Sequence, residues 1–372
     1  MNRSVAGPGL GALLAAAALG AGCRGASEPV RIGLEIAGRF EPVIALATDS
    51  VNAAGGIRGR RVEVVRDTVT GGTWDEAGGD VLRAQSIVAQ GAVAVVGHSG
   101  SSGSLQAALV YNRAGIVQVV PTGTSRRLTS AGPWTFQLPP NDSVEGLFIA
   151  EFVREHLRAR SAVVFYLSDE YGIGLRDGVR GALAGTEVRV LDEVRCDLRS
   201  DFGALVDAVV RRGVPDVVIV AGRGEDTGAI ARRLRERGIR APVVAGDGAH
   251  DPELVSVGEP ATEGVYVVTF WLPGAGDGAT QRLEAAVRDG LGREPMAADV
   301  MVYDALRLLV AVMREVGPRP EAVRDHLRQF GATRPRFRGL TGEIGFAADG
   351  GPPRLIMGVV RNRAVVRMDA PR

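Results

Sequence analysis

From residue 30 onward, short runs of β-branched residues alternate with longer stretches that are rich in arginine and alanine. The short runs have the length and composition of buried strands, and the stretches between them carry apolar residues at helical spacing. Regular alternation of this kind predicts parallel sheets whose strands are connected by crossover helices. The predicted strands cover residues 30–36, 61–65, 93–96, 116–120, 162–167, 187–191, 217–220, 243–245 and 265–268. The predicted helices cover residues 42–53, 75–89, 105–113, 143–158, 172–184, 202–212 and 225–237.

The alternation stops after residue 268, where three helical stretches (279–289, 297–316 and 321–330) precede three short strands (343–346, 354–360 and 364–368). Breaks at 139–142, 271–278 and 337–342 divide the chain. The break at 139–142 contains two adjacent prolines, which fit neither a helix interior nor a central strand. We therefore predict an α/β fold with two Rossmann-like lobes and mainly parallel sheets, joined by a three-crossing hinge. Lobe 1 is expected to contain residues 30–140 and 271–338, and lobe 2 residues 141–270 and 339–372.

The charge balance excludes one class of partner. The 372 residues carry 44 basic and 43 acidic side chains, for a net charge of +1. Because nucleic-acid binding depends on attraction to phosphates, this neutrality argues against a nucleic-acid partner. The length suits two domains with sizeable cores.

The first 22 residues have the pattern of an export signal. Arg3 precedes an uncharged stretch, 4–22, with an apolar centre and small residues at its end. The sequence Leu19-Gly-Ala-Gly-Cys23 resembles a bacterial lipoprotein signal, although its leucine lies one position further from the cysteine than is usual. The resemblance implies that residues 1–22 are removed, that Cys23 is lipidated, and that 23–29 form a tether to the membrane. The protein would then lie on the periplasmic or extracellular face of a membrane, with an uncleaved anchor as the alternative.

Hydroxyl-bearing loops follow two strands of the first predicted lobe. One contains Ser101 and Ser102 before a predicted helix, and the other contains Thr122 and Thr124. In parallel sheets, ligands bind beyond the carboxyl ends of the strands. Hydroxyls and the amides of a helix start can hold an anion such as a carboxylate. Each of these residues taken alone is equally consistent with helix capping.

Charged and aromatic residues follow the strands of the second predicted lobe. They are Tyr171, Arg223 and Asp247, the last lying between two glycines. An acid opposite a carboxylate site can bind an ammonium, so the two lobes together suit a zwitterion. Arg223 is equally consistent with a solvated loop cation.

Five motifs occur together in this chain: Asn52-Ala-Ala-Gly-Gly-Ile-Arg-Gly59, Val96-Gly-His-Ser-Gly-Ser-Ser102, Pro121-Thr-Gly-Thr124, Asp169-Glu-Tyr171-Gly172-Ile-Gly174 and Phe337-Arg-Gly-Leu-Thr-Gly342. With these motifs the sequence resembles a known family: the type I periplasmic substrate-binding proteins of the leucine/isoleucine/valine-binding branch, which are lipoprotein-anchored partners of ABC importers. The resemblance runs from about residue 30 to the end.

The resemblance implies a function and assigns roles to residues. It implies a solute-binding protein, without enzymatic activity or cofactor, that delivers an amino acid or similar small molecule to an ABC transporter permease. Ser101, Thr122 and Thr124 would grip the α-carboxylate, Asp247 would hold the α-ammonium, and Tyr171 would line the cleft.

Three features depart from the family pattern, the first being Asp247, which replaces the longer glutamate of that branch. Arg223 stands where the branch has an aromatic residue, and a short first loop leaves Phe40 as the expected wall of the side-chain pocket, with Arg39 beside it. A cation in the pocket predicts a ligand with a polar or acidic side chain.

Other functions fit the sequence less well. Gly97-His-Ser-Gly-Ser101 lacks the final glycine of a serine-hydrolase elbow, and His250 and His326 are the only candidate bases in the chain order that a hydrolase needs. The absence of lysine excludes a phosphate-binding P-loop, and the four histidines do not have the spacing of a metal site. A ligand-sensing receptor domain of the same fold remains the alternative function.

Overall fold

In the computed structural model, which describes residues 28–36, 38–69, 78–197, 200–274, 276–346 and 354–368, the chain forms two α/β lobes. The strands within these residues are β1 (Val30–Glu35), β2 (Val62–Val65), β3 (Ala94–Gly97), β4 (Val117–Val120), β5 (Thr135–Gln137), β6 (Ser161–Leu167), β7 (Arg189–Cys196), β8 (Val217–Ala221), β9 (Val243–Ala245), β10 (Tyr266–Thr269), β11 (Phe337–Arg338), β12 (Glu343–Ile344), β13 (Ile356–Arg361) and β14 (Ala364–Arg367). The helices are α1 (Glu41–Ala53), α2 (Gly79–Ala89), α3 (Ser101–Ala114), α4 (Asp142–Glu151), α5 (Glu170–Leu183), α6 (Phe202–Arg212), α7 (Gly224–Glu236), α8 (Glu253–Gly258), α9 (Gly278–Leu291), α10 (Ala297–Val316) and α11 (Pro320–Leu327).

Each lobe is built on one sheet. The lobe 1 sheet has five parallel strands in the order β2-β1-β3-β4-β5. The lobe 2 sheet has seven strands in the order β14-β13-β10-β9-β8-β6-β7. In lobe 2, β13 runs antiparallel to both of its neighbours, β10 and β14, and the other strand pairs are parallel. The central strands β3, β4, β8 and β9 are buried along their whole length, as expected when helices cover both faces of a parallel sheet. The predicted α/β architecture with mainly parallel sheets is confirmed.

Element boundaries differ from the prediction in a few places. Helix α3 begins at Ser101, four residues earlier than predicted, so Ser101 and Ser102 lie in its first turn. The predicted helix 143–158 is α-helical only to Glu151 and continues as one wider turn, Phe152–His156. The short elements β5 and α8 were not predicted, because three to six residues carry too little periodicity.

The third crossing between the lobes lies later in the chain than predicted. Residues 339–346 were assigned to lobe 2, but Ile344 is buried in the lobe 1 core and the ring of Phe346 lies 5.1 Å from that of Phe136. Of the C-terminal part, β13 and β14 belong to the lobe 2 sheet. The chain therefore still packs on lobe 1 at Phe346 and belongs to the lobe 2 sheet from Ile356 onward.

Asp304 holds this segment on lobe 1. The carboxyl of this fully buried residue of α10 accepts hydrogen bonds from the N–H groups of Leu340 (2.8 Å) and Thr341 (2.9 Å) and from the Thr341 hydroxyl (2.8 Å). Asp304→Ala leaves three donors without their acceptor, which we expect to lower the free energy of unfolding by about 2 kcal/mol. Denaturant unfolding measures this loss. Asp325→Ala, whose carboxyl is exposed, is the control, and a loss below about 0.5 kcal/mol in Asp304→Ala would contradict the prediction.

Candidate functional site

The start of helix α3 presents uncapped backbone amides. Strand β3 ends at Gly97, and Gly100 is the residue before the helix, with a φ of 71° that favours glycine. No side chain caps the helix at this end. Because the first amides of a helix have no partner inside it, they can bind an anion, and the helix dipole favours that binding.

Three hydroxyls surround these amides. Ser101 Oγ accepts hydrogen bonds from the amides of Thr124 (3.2 Å) and Ser125 (3.1 Å), and Thr122 Oγ1 accepts from the amide of Gly100 (3.2 Å). The Thr124 hydroxyl is buried and has no hydrogen-bond partner among the described residues. Among the described residues, the hydroxyl groups of Ser101 and Thr122 act only as acceptors, so their hydrogens also remain free to donate. These three O–H groups, predicted from the sequence, are available to donate to a carboxylate.

A close approach of backbone holds the two loops together. A Cβ atom added at Gly123 would lie 2.9 Å from the carbonyl oxygen of Gly100. Glycine at 123 therefore allows the loop after β4 to lie directly against the start of α3. This contact is the reason that Ser101 and Thr124, which are 23 residues apart, share one site.

Lobe 2 contributes a group of three carboxyls, Asp142, Glu145 and Asp247, which we call the acidic group. The N–H of Asp247, just after β9, donates to Glu145 Oε1 at 2.7 Å. The N–H of Asp142, at the start of α4, donates to the carbonyl of Thr124 at 2.8 Å. Asp142 and Glu145 are 1% and 0% exposed. Sequence reasoning found only Asp247 of the three; the signal for the others was their position directly after the Pro139-Pro140 break.

Burial shifts the protonation of the acidic group toward the neutral form. It raises the pKa of Asp142 to about 8 and that of Asp247 to about 6, and it raises the pKa of Glu145 well above its usual value. The charge of Asp247 raises the pKa of Asp142 and Glu145 further. A cationic ligand would reverse these shifts because it stabilises the ionised carboxylates.

Tyr171 lies beside Asp247, as the prediction of a shared cleft requires. Its hydroxyl accepts from the N–H of Gly248 at 3.0 Å, and it lowers the pKa of Asp247 by hydrogen bonding. Glycine at 246 makes room for it, because an added Cβ would lie 2.6 Å from the Tyr171 hydroxyl. Burial raises the pKa of Tyr171 itself, so it stays a neutral donor and acceptor.

Two predicted site residues have different surroundings from those expected. Phe40 is 2% exposed and packs in the lobe 1 core, so it does not present an open wall to the cleft. Arg223 forms an ion pair with Asp169 at 2.8 Å, and its side chain is 46% exposed. Its charge is therefore already compensated. Arg39, beside Phe40, reaches across to lobe 2 and pairs with Asp251 at 2.6 Å.

The two lobes also touch at Glu170, the first residue of α5. Its amide lies 3.4 Å from Ser102 Oγ, which accepts the hydrogen bond, while its carboxylate accepts from Ser125 Oγ (2.8 Å) and pairs with Arg127 (2.8 Å). Ser102 therefore contacts the opposite lobe. The hydroxyl loops of lobe 1 and the acidic group of lobe 2 face each other across these contacts.

A second polar cluster, not predicted from the sequence, lies inside lobe 1. Glu35, Asp80 and His98 bring potential metal-ligating atoms within 4.8 Å of one another. The Arg83 guanidinium lies 3.6 Å from Glu35 and 4.0 Å from Asp80, and both nitrogens of His98 are engaged, with Asp80 (2.6 Å) and Tyr111 (3.0 Å). Since the guanidinium already supplies positive charge there, we interpret the cluster as an internal ion network.

The hydrolase alternative finds no base near its serine. His250 Nδ1 lies 2.8 Å from Thr269 Oγ1, and His326 lies 3.0 Å from Arg334. Within the described part of the chain, neither histidine hydrogen-bonds to Ser99 or Ser101. The residues of the hydrolase alternative are therefore not assembled around these serines in the described part of the chain.

Two lobes with hydroxyl and amide donors on one and an acidic group on the other fit the class of two-lobe binding proteins for small molecules. In agreement with this class, the family model described as periplasmic binding protein matches residues 38–363. The chain belongs to this family.

Relatives and solved structures agree with the assignment. The chain is 28% identical over 353 residues to the Leu/Ile/Val-binding protein homolog 1 of Brucella abortus, with 92% of each chain covered. It is 31% identical over 288 residues to an amino acid binding protein of Pseudomonas aeruginosa, with 74% and 73% covered. Its fold is similar to that of the branched-chain amino acid transporter substrate binding protein LivJ of Streptococcus pneumoniae, solved in complex with isoleucine. That comparison has a TM-score of 0.79 at 23% identity and covers 91% of this chain and all of LivJ.

The N-terminal prediction lies outside the described residues, which begin at residue 28 and so exclude Cys23 and the signal 1–22. Among the helices that are described, none has the length and apolarity needed to cross a membrane.

Proposed function

We propose that this protein captures an α-amino acid or a close analogue between its lobes, outside the cytoplasm, and presents it to an ABC importer. The observation that carries the proposal is the pairing of unsatisfied O–H and N–H donors at the start of α3 with the acidic group on the facing lobe. The zwitterion of an α-amino acid carries the complementary charges: its carboxylate suits these donors, and its ammonium suits the acids. The names of the relatives from Brucella and Pseudomonas support the same ligand class.

Six of the eight predicted site residues have a role in this proposal. Ser101, Thr122 and Thr124 donate to the α-carboxylate, and Asp247 accepts from the α-ammonium. Tyr171 fixes the Asp247 loop through Gly248, and Ser102 contacts the second lobe where the cleft closes. Ligand held by both lobes favours the closed arrangement, which is the form that a permease would recognise.

The proposed cellular location rests on the sequence. A lipid on Cys23 would hold the binding lobes at the outer face of the membrane through the tether 23–29. A receptor role would use the same binding step with a different membrane partner.

Thermal unfolding with a panel of free α-amino acids tests the proposal. A ligand at about 1,000 times its Kd stabilises by roughly 4 kcal/mol, which raises the Tm by several degrees. The N-acetyl derivative and the methyl ester of each hit are the controls, because they remove the ammonium and the carboxylate separately. We expect both controls to lose the shift. A panel without a hit, or blocked derivatives that stabilise equally, would contradict the proposal.

A further inference from the structure

The acidic group contains more carboxyls than one α-ammonium requires. Four of its oxygens are buried and have no hydrogen-bond partner among the described residues: Asp142 Oδ1 and Oδ2, Glu145 Oε2 and Asp247 Oδ1. No ion pair in the described part of the chain involves any of these three residues. Buried carboxyls without a partner are either protonated, as the raised pKa values of Asp142 and Glu145 indicate for the ligand-free protein, or neutralised by a cation from outside the chain.

The arginines near the site do not neutralise the acidic group, because each is already paired. Arg223 pairs with Asp169, Arg127 with Glu170 and Arg39 with Asp251, at distances between 2.6 and 2.8 Å. The charges of Asp169 and Glu170 also act on Asp142 in the same direction as that of Asp247. The expectation of an acidic ligand side chain depended on a free Arg223, and it loses its basis here.

The position of Thr124 places the acidic group beside the hydroxyl loops of lobe 1. This residue of lobe 1 is 1% exposed, its hydroxyl has no partner by hydrogen-bond geometry within the described residues, and it lies close enough to Asp142 to lower that pKa. Its carbonyl accepts from the Asp142 amide. Glycine at 174 leaves the space for the Asp142 side chain, since a Cβ there would lie 2.1 Å from Asp142 Oδ2. The carboxylate site and the acidic group are thus neighbours.

We infer that the ligand is an α-amino acid carrying a second cationic N–H donor, so that Asp247 binds the α-ammonium while Asp142 and Glu145 bind the second cation. This inference rests on the proposed function and narrows its substrate class to diamino acids and amino acids with a basic side chain. Because Glu145 Oε1 lies 2.7 Å from the Asp247 amide, the two binding points are adjacent. A charge-assisted hydrogen bond contributes about 1.5–3 kcal/mol, which corresponds to roughly 10- to 150-fold in affinity.

Two pairs of isosteric amino acids test the inference by isothermal titration calorimetry. L-arginine is compared with L-citrulline, and L-2,4-diaminobutyrate with L-homoserine, so that within each pair mainly the charge changes. We expect the cationic member of at least one pair to bind at least tenfold more tightly than its neutral partner. A preference below tenfold in both pairs would overturn the inference. If neutral amino acids bind and cationic ones do not, only this inference fails, whereas absence of binding by any α-amino acid is a failure of the proposed function itself.

Glu145→Gln tests the assignment to this residue. The amide oxygen still accepts from the Asp247 N–H, while the ionisable carboxyl is removed, so the ratio of affinities between the cationic and the neutral member of each pair should fall about tenfold. Glu284→Gln is the matched control, because this glutamate is also largely buried but pairs with Arg288. Asp142→Asn is the second variant, should Glu145→Gln fail to fold. An unchanged preference in a folded variant would overturn the assignment.

Discussion

Asp247→Asn is expected to weaken binding of an α-amino acid by about 100-fold. The substitution keeps the size and shape of the side chain but replaces a carboxylate by a neutral amide, so a charge-assisted hydrogen bond to the α-ammonium is lost. A bond of this kind contributes about 1.5–3 kcal/mol, and each 1.4 kcal/mol is tenfold in Kd. Isothermal titration calorimetry with the best hit of the amino acid panel measures the change.

The design separates binding from folding. The contact between Asp247 and Glu145 uses the backbone N–H of Asp247, so Asn at this position retains it. Asp325→Asn is the control, because that exposed carboxylate pairs with its neighbour Arg324 and should leave the Kd within threefold of wild type. If Asp247→Asn also binds within threefold of wild type, Asp247 does not hold the ammonium.

The meeting of the two hydroxyl-bearing loops of lobe 1 could be predicted from the sequence because it follows from topology. Parallel strands direct their carboxyl ends to one edge, so the residues after β3 and β4 had to meet. Ser101 and Thr124 do meet, through the amide hydrogen bond at 3.2 Å. Asp247 follows β9 by the same rule in the other lobe. The confirmed fold and the position of these loops therefore have one cause.

Packing partners distant in sequence could not be predicted in the same way. Phe40 and Arg39 are adjacent, yet the ring enters the lobe 1 core while the guanidinium pairs with Asp251, 212 positions away. Asp142 and Glu145 have the sequence pattern of acids at a helix start, which is usually a favourable solvent-facing arrangement. Only the packing of α4 against the start of α5 and the Asp247 loop buries them. Residues 339–346 depend likewise on Asp304, whose partners lie 36 and 37 positions away.

The free energy of unfolding of the ligand-free protein is expected to fall as the pH rises from 6.5 to 8. Burial raises the pKa of Asp142 and of Glu35 to about 8 each, and that of Glu145 well above its usual value. In the unfolded chain these acids have pKa values near 4. The folded protein therefore holds protons that the unfolded chain has lost, and stability decreases with rising pH. Each such proton contributes about 2 kcal/mol over this interval.

Other titrating groups do not reverse the sign in this interval. Burial lowers the pKa of His98, His250 and His326, which opposes the effect of the acids, because an unfolded histidine with a pKa near 6.5 is about half protonated at pH 6.5. Each histidine offsets only about 0.4 kcal/mol between pH 6.5 and 8. Burial raises the pKa of Cys196 to about 12, which acts in the same direction as the acids but at higher pH. Asp142 and Glu145 are faced by four charged or polar groups: Asp247, Asp169, Glu170 and Thr124. Glu35 is faced by three: Asp67, Asp80 and Arg83.

Denaturant unfolding at several pH values, with and without a bound amino acid, tests this prediction. Asp142→Asn, in lobe 2, should make the decrease of the free energy of unfolding with pH smaller by about 1.4 kcal/mol per pH unit. Glu35→Gln, in lobe 1, should have an effect of similar size. Bound ligand should reduce the slope as Asp142→Asn does, because a cation beside the acidic group favours the ionised carboxylates. Affinity should accordingly rise with pH over the same interval. Stability that stays constant or increases between pH 6.5 and 8 would show that these acids are ionised in the ligand-free protein, and the acidic group would then have to be neutralised by a cation other than the ligand.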